Sequence, residues 1–354
     1  MSGAAEVTRR IRVVVIGGGT SSEHEVSLAS AAAIAAALDP DRFDVVRLTI
    51  RVDGSWALPD GSDLAGDLAG AVALLERADA AVAALHGPRG EDGTLAALLD
   101  LVGVPYVGSG VAAGALAMGK HVTKLLAADA GVATAPGLLV READDPRLDA
   151  LELPLVVKPD RAGSSHGVTV VTERAALEAA IEAAFAFGPE VVVEAFVPGR
   201  ELDVGVIEHP DGRLECLPPL EIVVPAGAIF DAEAKYAREP EFRIPAPVDA
   251  ALGAELERAA LAMFRAVGAS GLARVDFFAT EHGLLLNEIN TFPGFTSRSQ
   301  VPRMAAAAGI GYPRLVELLL DTALARSDPH RVRQRLAPVP ASAPAPAPQH
   351  TATL

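Results

Sequence analysis

The densest chemistry in the chain lies in two alternating runs, Leu272 to Thr280 and Leu284 to Asn290, joined by Glu281-His282-Gly283. Alternation on either side of a short connection ending in Gly predicts a β-hairpin. With the turn centred on His282, Asp276 faces Glu288 across the strands and Arg274 faces Asn290, so four polar side chains share one face. Ala273, Val275, Phe277, Leu285 and Ile289 fall on the other. A bulge at Gly283 would shift this register but not the sharing of a face within each strand. Opposed carboxylates repel unless a cation or proton lies between them. Oxygen donors around an open position suit a Mg²⁺ that also holds phosphates, Mn²⁺ being the alternative ion. The competing reading is a solvated face on which Arg274 pairs with Asp276 or Glu288.

A second constellation could hold phosphate. Lys158-Pro-Asp-Arg-Ala-Gly-Ser-Ser-His-Gly167 follows one apolar strand and precedes another. Backbone N–H groups in such a loop can approach phosphates closely, and Lys158 adds a point charge; an ordinary flexible hairpin is the alternative. No G-x-x-x-x-G-K-[ST] is present, and Gly17-Gly18-Gly19-Thr-Ser-Ser lacks the third glycine of a dinucleotide fingerprint. Lys120 stands at a predicted helix start, where the macrodipole disfavours a cation, which points to an anionic ligand. Lys235, in Phe230-Asp-Ala-Glu-Ala-Lys-Tyr236, lies in an irregular segment of the kind that forms lids.

Amino-acid ligands could be met elsewhere. Ser22-Glu23-His24-Glu25 reads as a capping box of Ser22 with Glu25, which leaves Glu23 spare to pair with an ammonium group. His86 leaves the C-terminal end of a buried strand and is a candidate polar ligand rather than a core histidine. After Asn290, Gly294 offers an unobstructed backbone donor, and Thr296, Ser297 and Ser299 carry hydroxyls that can meet a carboxylate; a polar connecting loop is the plainer reading.

These residues need a scaffold, and the chain supplies an α/β one. Half of the 354 residues are apolar and only 4% aromatic, so the interior is built from Ala, Val and Leu, as where helices cover sheets. Strands are predicted at Ile11–Ile16, Phe43–Ile50 and Ala80–Leu85, alternating with helices at 27–38, 64–76 and 94–101, the pattern of a parallel sheet. A helix at 122–128 follows, then strands near 155–158, 168–171 and 191–194 with a helix at 174–187, and finally a strand-rich part closed by helices at 250–267 and 312–326. Lys plus Arg number 30 against 46 Asp plus Glu, a net charge of −16, which argues against nucleic acid or an anionic membrane as partner. The single Cys216 excludes an internal disulfide and a multi-thiolate zinc site and fits a cytoplasmic protein. The first apolar run is broken by Gly17-Gly18-Gly19, short of a signal or membrane segment.

In order along the chain, GGGTSSEHEVSL, LHGPRGEDGT, VGVPYVGSG, VKPDRAGSSHG, the pair Glu194 and Glu201, EAKY, GLARVDFF and NEINTFPGFTS resemble the D-alanine–D-alanine ligase family of the ATP-grasp superfamily. The resemblance implies an N-terminal doubly wound parallel-sheet domain (1–112) and a two-part ATP-grasp fold (113–198 and 199–326), while the Pro- and Ala-rich composition of 327–354, with little apolar mass to dock, predicts a disordered tail. It implies ligation of two D-alanines through an acyl phosphate, with MgATP, for peptidoglycan synthesis. Lys120, Lys158, Ser165 and Lys235 would meet the phosphates, Glu194 and Glu201 the adenine and ribose, and Asp276, Glu288 and Asn290 the Mg²⁺. Glu23 would take the first ammonium, with His86 near the first carboxylate and Ser299 and Gln300 at the second. Arg274 and the Gly294 N–H would hold the tetrahedral oxyanion, and Glu23, Ser164 and Tyr236 would form a triad that closes the lid.

Gly119, where the family usually carries Asp, and His166 in the phosphate loop depart from the pattern. Arg298 and Gln300 beside Ser299 leave open a D-serine, D-lactate or specialised-metabolite second substrate, although Lys235-Tyr236 favours D-alanine. A non-catalytic ATP-binding relative is the rival from another class. A homodimer in the cytoplasm is the assembly the resemblance implies.

Overall fold

The computed structural model describes residues 9–223 and 241–326. Lys235, Tyr236 and the Pro-rich segment fall outside these residues. The architecture is mixed α/β, as the alternation predicts. In the first unit, β1 (Ile11–Gly18), β2 (Phe43–Ile50), β3 (Trp56–Ala57), β4 (Ala80–Ala83) and β5 (Tyr106–Val107) form a sheet of order β3-β2-β1-β4-β5, parallel except for β3. Its helices are α1 (His24–Ala37), α2 (Leu68–Leu75) and α3 (Thr94–Val102). The central β1 is apolar without alternation because both of its faces are covered, Val13 and Val15 on one side and Val14 and Ile16 on the other.

Two helices, α4 (Val111–Met118) and α5 (Lys120–Asp129), lead to an antiparallel sheet of β6 (Gly137–Val140), β7 (Leu155–Pro159), β8 (Thr169–Val171) and β9 (Val191–Ala195), in the order β6-β9-β7-β8. Helix α6 (Leu177–Phe185) covers it, preceded by a 3₁₀ turn at Arg174–Ala176 where the sequence predicts continuous helix. The last sheet comprises β10 (Arg200–Glu208), β11 (Leu214–Cys216), β12 (Leu220–Val223), β13 (Glu241–Arg243), β14 (Leu272–Thr280) and β15 (Gly283–Asn290). Its order is β13-β12-β10-β14-β15, with β11 also pairing β10. Helix α7 (Ala250–Ala266) packs Leu256, Met263 and Phe264 against Val204, Val275 and Phe277 of this sheet, and Ala117, Ala127 and Val132 enter the same core.

Two further helices, α8 (Gln300–Ala307) and α9 (Tyr312–Arg326), close the chain. Leu315, Leu319 and Leu320 of α9, with Phe292 and Phe295 of the loop after β15, join Val13, Ile34 and Val82 in one core. Arg42 hydrogen-bonds Glu317 at 3.5 Å and also Asp321, so the first sheet and the end of the chain are held by burial and by charge. That packing brings the loop after β15 to the C-terminal edge of β1 and β4, where ligands of parallel sheets bind. Phe277 lies directly beneath the polar face of β14 and is 1% exposed. Phe277→Ala is expected to cost about 3–5 kcal/mol of unfolding free energy, measured by urea denaturation, with the site above it loosened.

Candidate functional site

The β14–β15 pairing puts Arg274 opposite Asn290 and Asp276 opposite Glu288, as the sequence predicts. The route to that register differs. The turn is Glu281-His282 alone, since Thr280 already pairs with Gly283, and the compensating extra residue is a bulge near Asn287 rather than Gly283. The bulge changes which residues share a face. Leu284 and Leu286 are buried below, whereas Leu285, assigned there by simple alternation, is only partly buried and pairs with Phe278 on the polar side. The bulge also turns the Asn287 Oδ1 toward Lys158, whose Nζ donates to it at 3.3 Å.

On the polar face a third carboxylate joins the row, because Asp203 of β10 pairs with Asp276. Three adjacent carboxylates demand positive charge. Arg274 supplies it as a fork, Nε and one terminal nitrogen each 2.7 Å from an oxygen of Asp276, with Asp203 at 3.7 Å. Although burial opposes it, Asp276 and then Asp203 hold the guanidinium pKa well above its ordinary value. The Asn290 Nδ2 donates to Asp276 at 3.1 Å and to Glu288 at 3.4 Å, so positive amide hydrogens lie between the two carboxylates where a cation would sit. The donor set of two carboxylates and one amide is that of a hard divalent ion. Among the described residues no group of three or more His, Cys, Asp or Glu side chains is arranged as a metal cluster.

The loop 160–167 has left-handed backbone at Ser164 (φ 51°) and Ser165 (φ 56°), a conformation non-glycine residues adopt at a cost of about 1–3 kcal/mol each and typical of functional loops. Ser164 donates to Glu23 Oε1 at 2.6 Å. A side chain at Gly87 would come within 2.9 Å of Glu23 Oε2, so this glycine makes room for the carboxylate. Glu23 itself occupies the cap position of α1, without a side-chain cap hydrogen bond, and the Ser22–Glu25 capping box is not formed. Ser21 organises the turn instead, accepting from the Glu23 N–H and donating to the His86 carbonyl.

Lys120 opens α5, and its Nζ donates to the Ala162 carbonyl at 2.6 Å. Burial pushes its pKa down, opposed chiefly by Glu288. The negative charge missing at Gly119 comes from the loop: Asp160 accepts from the His121 N–H at 2.7 Å and caps the helix. His166 stacks on Phe187, which accounts for an aromatic ring in this loop. Lys158 reaches Glu194 at 2.5 Å, and Lys124, one turn along α5 from Lys120, reaches the other oxygen at 2.5 Å.

His86 is buried. Its Nδ1 lies 3.2 Å from the Phe292 carbonyl and 3.4 Å from Glu91, so that nitrogen carries a proton; Nε2 shares a hydrogen bond of 3.1 Å with the Ser30 hydroxyl, which accepts from the Phe295 N–H. Burial lowers the His86 pKa, but Glu91 and then Glu23 more than reverse this. The backbone on both sides of Gly294 is thereby anchored. Ser299 Oγ accepts from the Thr296 N–H at 3.0 Å, and Gln300 donates to Asp203 at 2.8 Å. Glu201, two residues before Asp203 on β10, pairs across the strands with Ile222 and Phe278.

Glu23, Ser164, Lys120, Lys158, Glu194, Arg274, Asp276, Glu288 and Asn290 are thus linked through one loop and one hairpin, with Gly294, Ser299 and Gln300 along the adjoining segment and His86 held against it through the Phe292 carbonyl. Sequence reading missed Lys124, Asn287, Asp203, Asp160, Ser30 and Glu91. Three of these had a signal: Lys124 is four residues from Lys120 on a helix, Asp203 two from Glu201 on a strand, and Asn287 adjoins Glu288.

Residues 12–109 match the family described as D-ala D-ala ligase N-terminus, and 126–321 the D-ala D-ala ligase C-terminus. The chain is similar to the D-alanine–D-alanine ligase of Mycolicibacterium vanbaalenii, 44% identical over 90% of this chain and 99% of that protein. Among solved structures it resembles the VanG D-Ala:D-Ser ligase of Enterococcus faecalis (TM-score 0.77, 31% identity, 89% of this chain and 100% of that one). It also resembles the D-alanine–D-alanine ligase of Bacillus anthracis complexed with ATP (TM-score 0.75, 29% identity, 92% and 100%).

Proposed function

The chain belongs to the D-alanine–D-alanine ligase family, and we propose that it uses ATP to join two D-alanines into D-alanyl-D-alanine, a peptidoglycan precursor. Its fold is a parallel α/β domain followed by a two-part ATP-grasp unit. In the reaction the carboxylate of the first D-alanine attacks the γ-phosphate and ADP leaves. The amine of the second attacks the acyl-phosphate carbon, phosphate departs, and the nitrogen gives up a proton.

In this reading Glu23, walled by Gly87 and steadied by Ser164, holds the first ammonium group, while His86 fixes the loop near its carboxylate. Lys120, Lys158 and Ser165, with Lys235, attract the phosphates; Glu194 and Glu201 meet adenine and ribose. Asp276, Glu288 and Asn290 would hold Mg²⁺, which supplies neutralisation of phosphate charge when bound. Arg274 and the Gly294 N–H face the developing oxyanion, Ser299 and Gln300 the second carboxylate, and Tyr236 completes the lid triad with Glu23 and Ser164. A homodimer in the cytoplasm belongs to the same proposal; no described helix is long and apolar enough to cross a membrane.

The observation that carries the reading is the reach of one loop. Its Ser164 holds Glu23 of the first unit, its Ala162 carbonyl holds Lys120, and Lys158 at its base touches the hairpin that bears Glu288. In this reading one loop ties an ammonium site, phosphate ligands and carboxylates together. Incubation with MgATP and D-alanine is expected to release phosphate and yield the dipeptide mass. Turnover only when D-serine or D-lactate is the second substrate would reassign that substrate, and MgATP binding without substrate-dependent ADP would mean a non-catalytic relative.

A further inference from the structure

Glu194 is buried on β9 between two ammonium groups that differ in how they are held. Lys124 donates to the Ala135 carbonyl at 2.9 Å and reaches Glu194 Oε2 at 2.5 Å, from a helix packed into the core through Ala127. Lys158 reaches Glu194 Oε1 at 2.5 Å, and its other contact is a longer one of 3.3 Å to Asn287 on the bulged strand. Lys158 also stands immediately before the loop that carries the left-handed serines.

A lysine that must turn to an anionic ligand cannot leave a buried carboxylate without a partner, because an uncompensated buried charge is strongly unfavourable. We propose that Lys124 is a positioning residue: it is the permanent counter-ion of Glu194, and by neutralising that carboxylate it frees the Lys158 ammonium for the phosphates of ATP. This rests on the reading of Lys158 as a phosphate ligand. Lys124 itself does not turn, since a carbonyl and a carboxylate both hold it. Burial pushes the Lys124 pKa down, and Glu194 is the partner that opposes this.

The test measures MgATP dissociation constants by calorimetry and steady-state constants on the full chain, for Lys124→Met, Lys124→Arg, Glu194→Gln, Lys158→Met and the Lys124→Met/Glu194→Gln double variant. Lys124→Met is expected to weaken MgATP binding about tenfold or more, because Glu194 then keeps Lys158, with kcat at saturating ATP changed under about threefold. Lys124→Arg, which keeps the charge, is expected to stay within about threefold of the parent. In the Glu194→Gln background the same Lys124→Met change is expected to cost under about twofold, because no carboxylate remains to compete for Lys158. A Lys124→Met effect of equal size with and without Glu194 would overturn the proposal, as would unchanged MgATP binding in Lys124→Met. Normal MgATP binding in Lys158→Met would instead reject the phosphate reading of Lys158. If Lys124→Met does not fold, weak MgATP binding by Lys124→Arg that survives Glu194→Gln rejects the proposal in the same way.

Discussion

Glu288→Gln is expected to lower kcat by about 10²–10⁴-fold while the protein folds and melts close to the parent, because loss of the metal's several kcal/mol of charge stabilisation converts at about 1.4 kcal/mol per decade. The side chain keeps its volume and an oxygen for the Asn290 amide, 3.4 Å away, so packing is spared. What disappears is one of two full negative charges facing each other across β14 and β15, the pair that makes the position attractive to a cation. The charge also serves Lys120, whose lowered pKa Glu288 does most to oppose, so the substitution favours a neutral amine at a proposed phosphate ligand. Both effects act in the same direction. Turnover at stepped Mg²⁺ concentrations, with circular dichroism as the folding control, checks the expectation. A variant within about threefold of the parent at low Mg²⁺ would reject the metal assignment, because a ligand worth several kcal/mol cannot be lost at so small a cost.

The parallel character of the first sheet and the long elements were legible because their signals are local. β2 and α9 agree with their predicted bounds, and the unbroken apolar run of β1 marked a strand covered on both faces. The hairpin is more instructive. Its register at Asp276 and Glu288 came out as predicted through two deviations that cancel, a turn one residue tighter than assumed and a bulge one residue longer. A bulge has no periodic signature, and so Leu285 was assigned to the face that Leu286 occupies. Asp203 and Lys124 went unassigned for a related reason. Each lies at the expected spacing from an assigned residue, yet what gives it meaning is a partner distant in sequence, Gln300 for Asp203 and Glu194 for Lys124. Ser22 shows the converse failure, a local capping pattern overridden when Glu23 is drawn to Ser164 from 141 residues away. Lys235 and Tyr236, the residues the sequence assigns to a lid, lie outside the described residues.

Arg274→Lys is expected to be nearly as damaging, lowering kcat by about 10²–10³-fold, the usual consequence of removing one oxyanion donor. Charge is retained, so the reason is geometric. The guanidinium spends Nε and one terminal nitrogen on the two oxygens of Asp276 and still has donors to offer elsewhere, whereas an ammonium group cannot span a carboxylate and also reach an oxyanion. The carboxylate row of Asp203, Asp276 and Glu288 would keep its positive neighbour but lose the fork that orients Asp276. Unfolding free energy is therefore expected to fall by about 1–3 kcal/mol, the cost of one unsatisfied buried group. A donor that acts only as the oxyanion forms lowers kcat and kcat/KM together, with the KM for ATP and for the first D-alanine little changed. A raised KM with normal kcat would instead make Arg274 a ground-state ligand. The structural contribution is separated by Asp276→Asn. If Arg274 mattered solely by orienting Asp276, the double variant would be no worse than either single one, but an oxyanion role adds a further loss that the amide cannot mask.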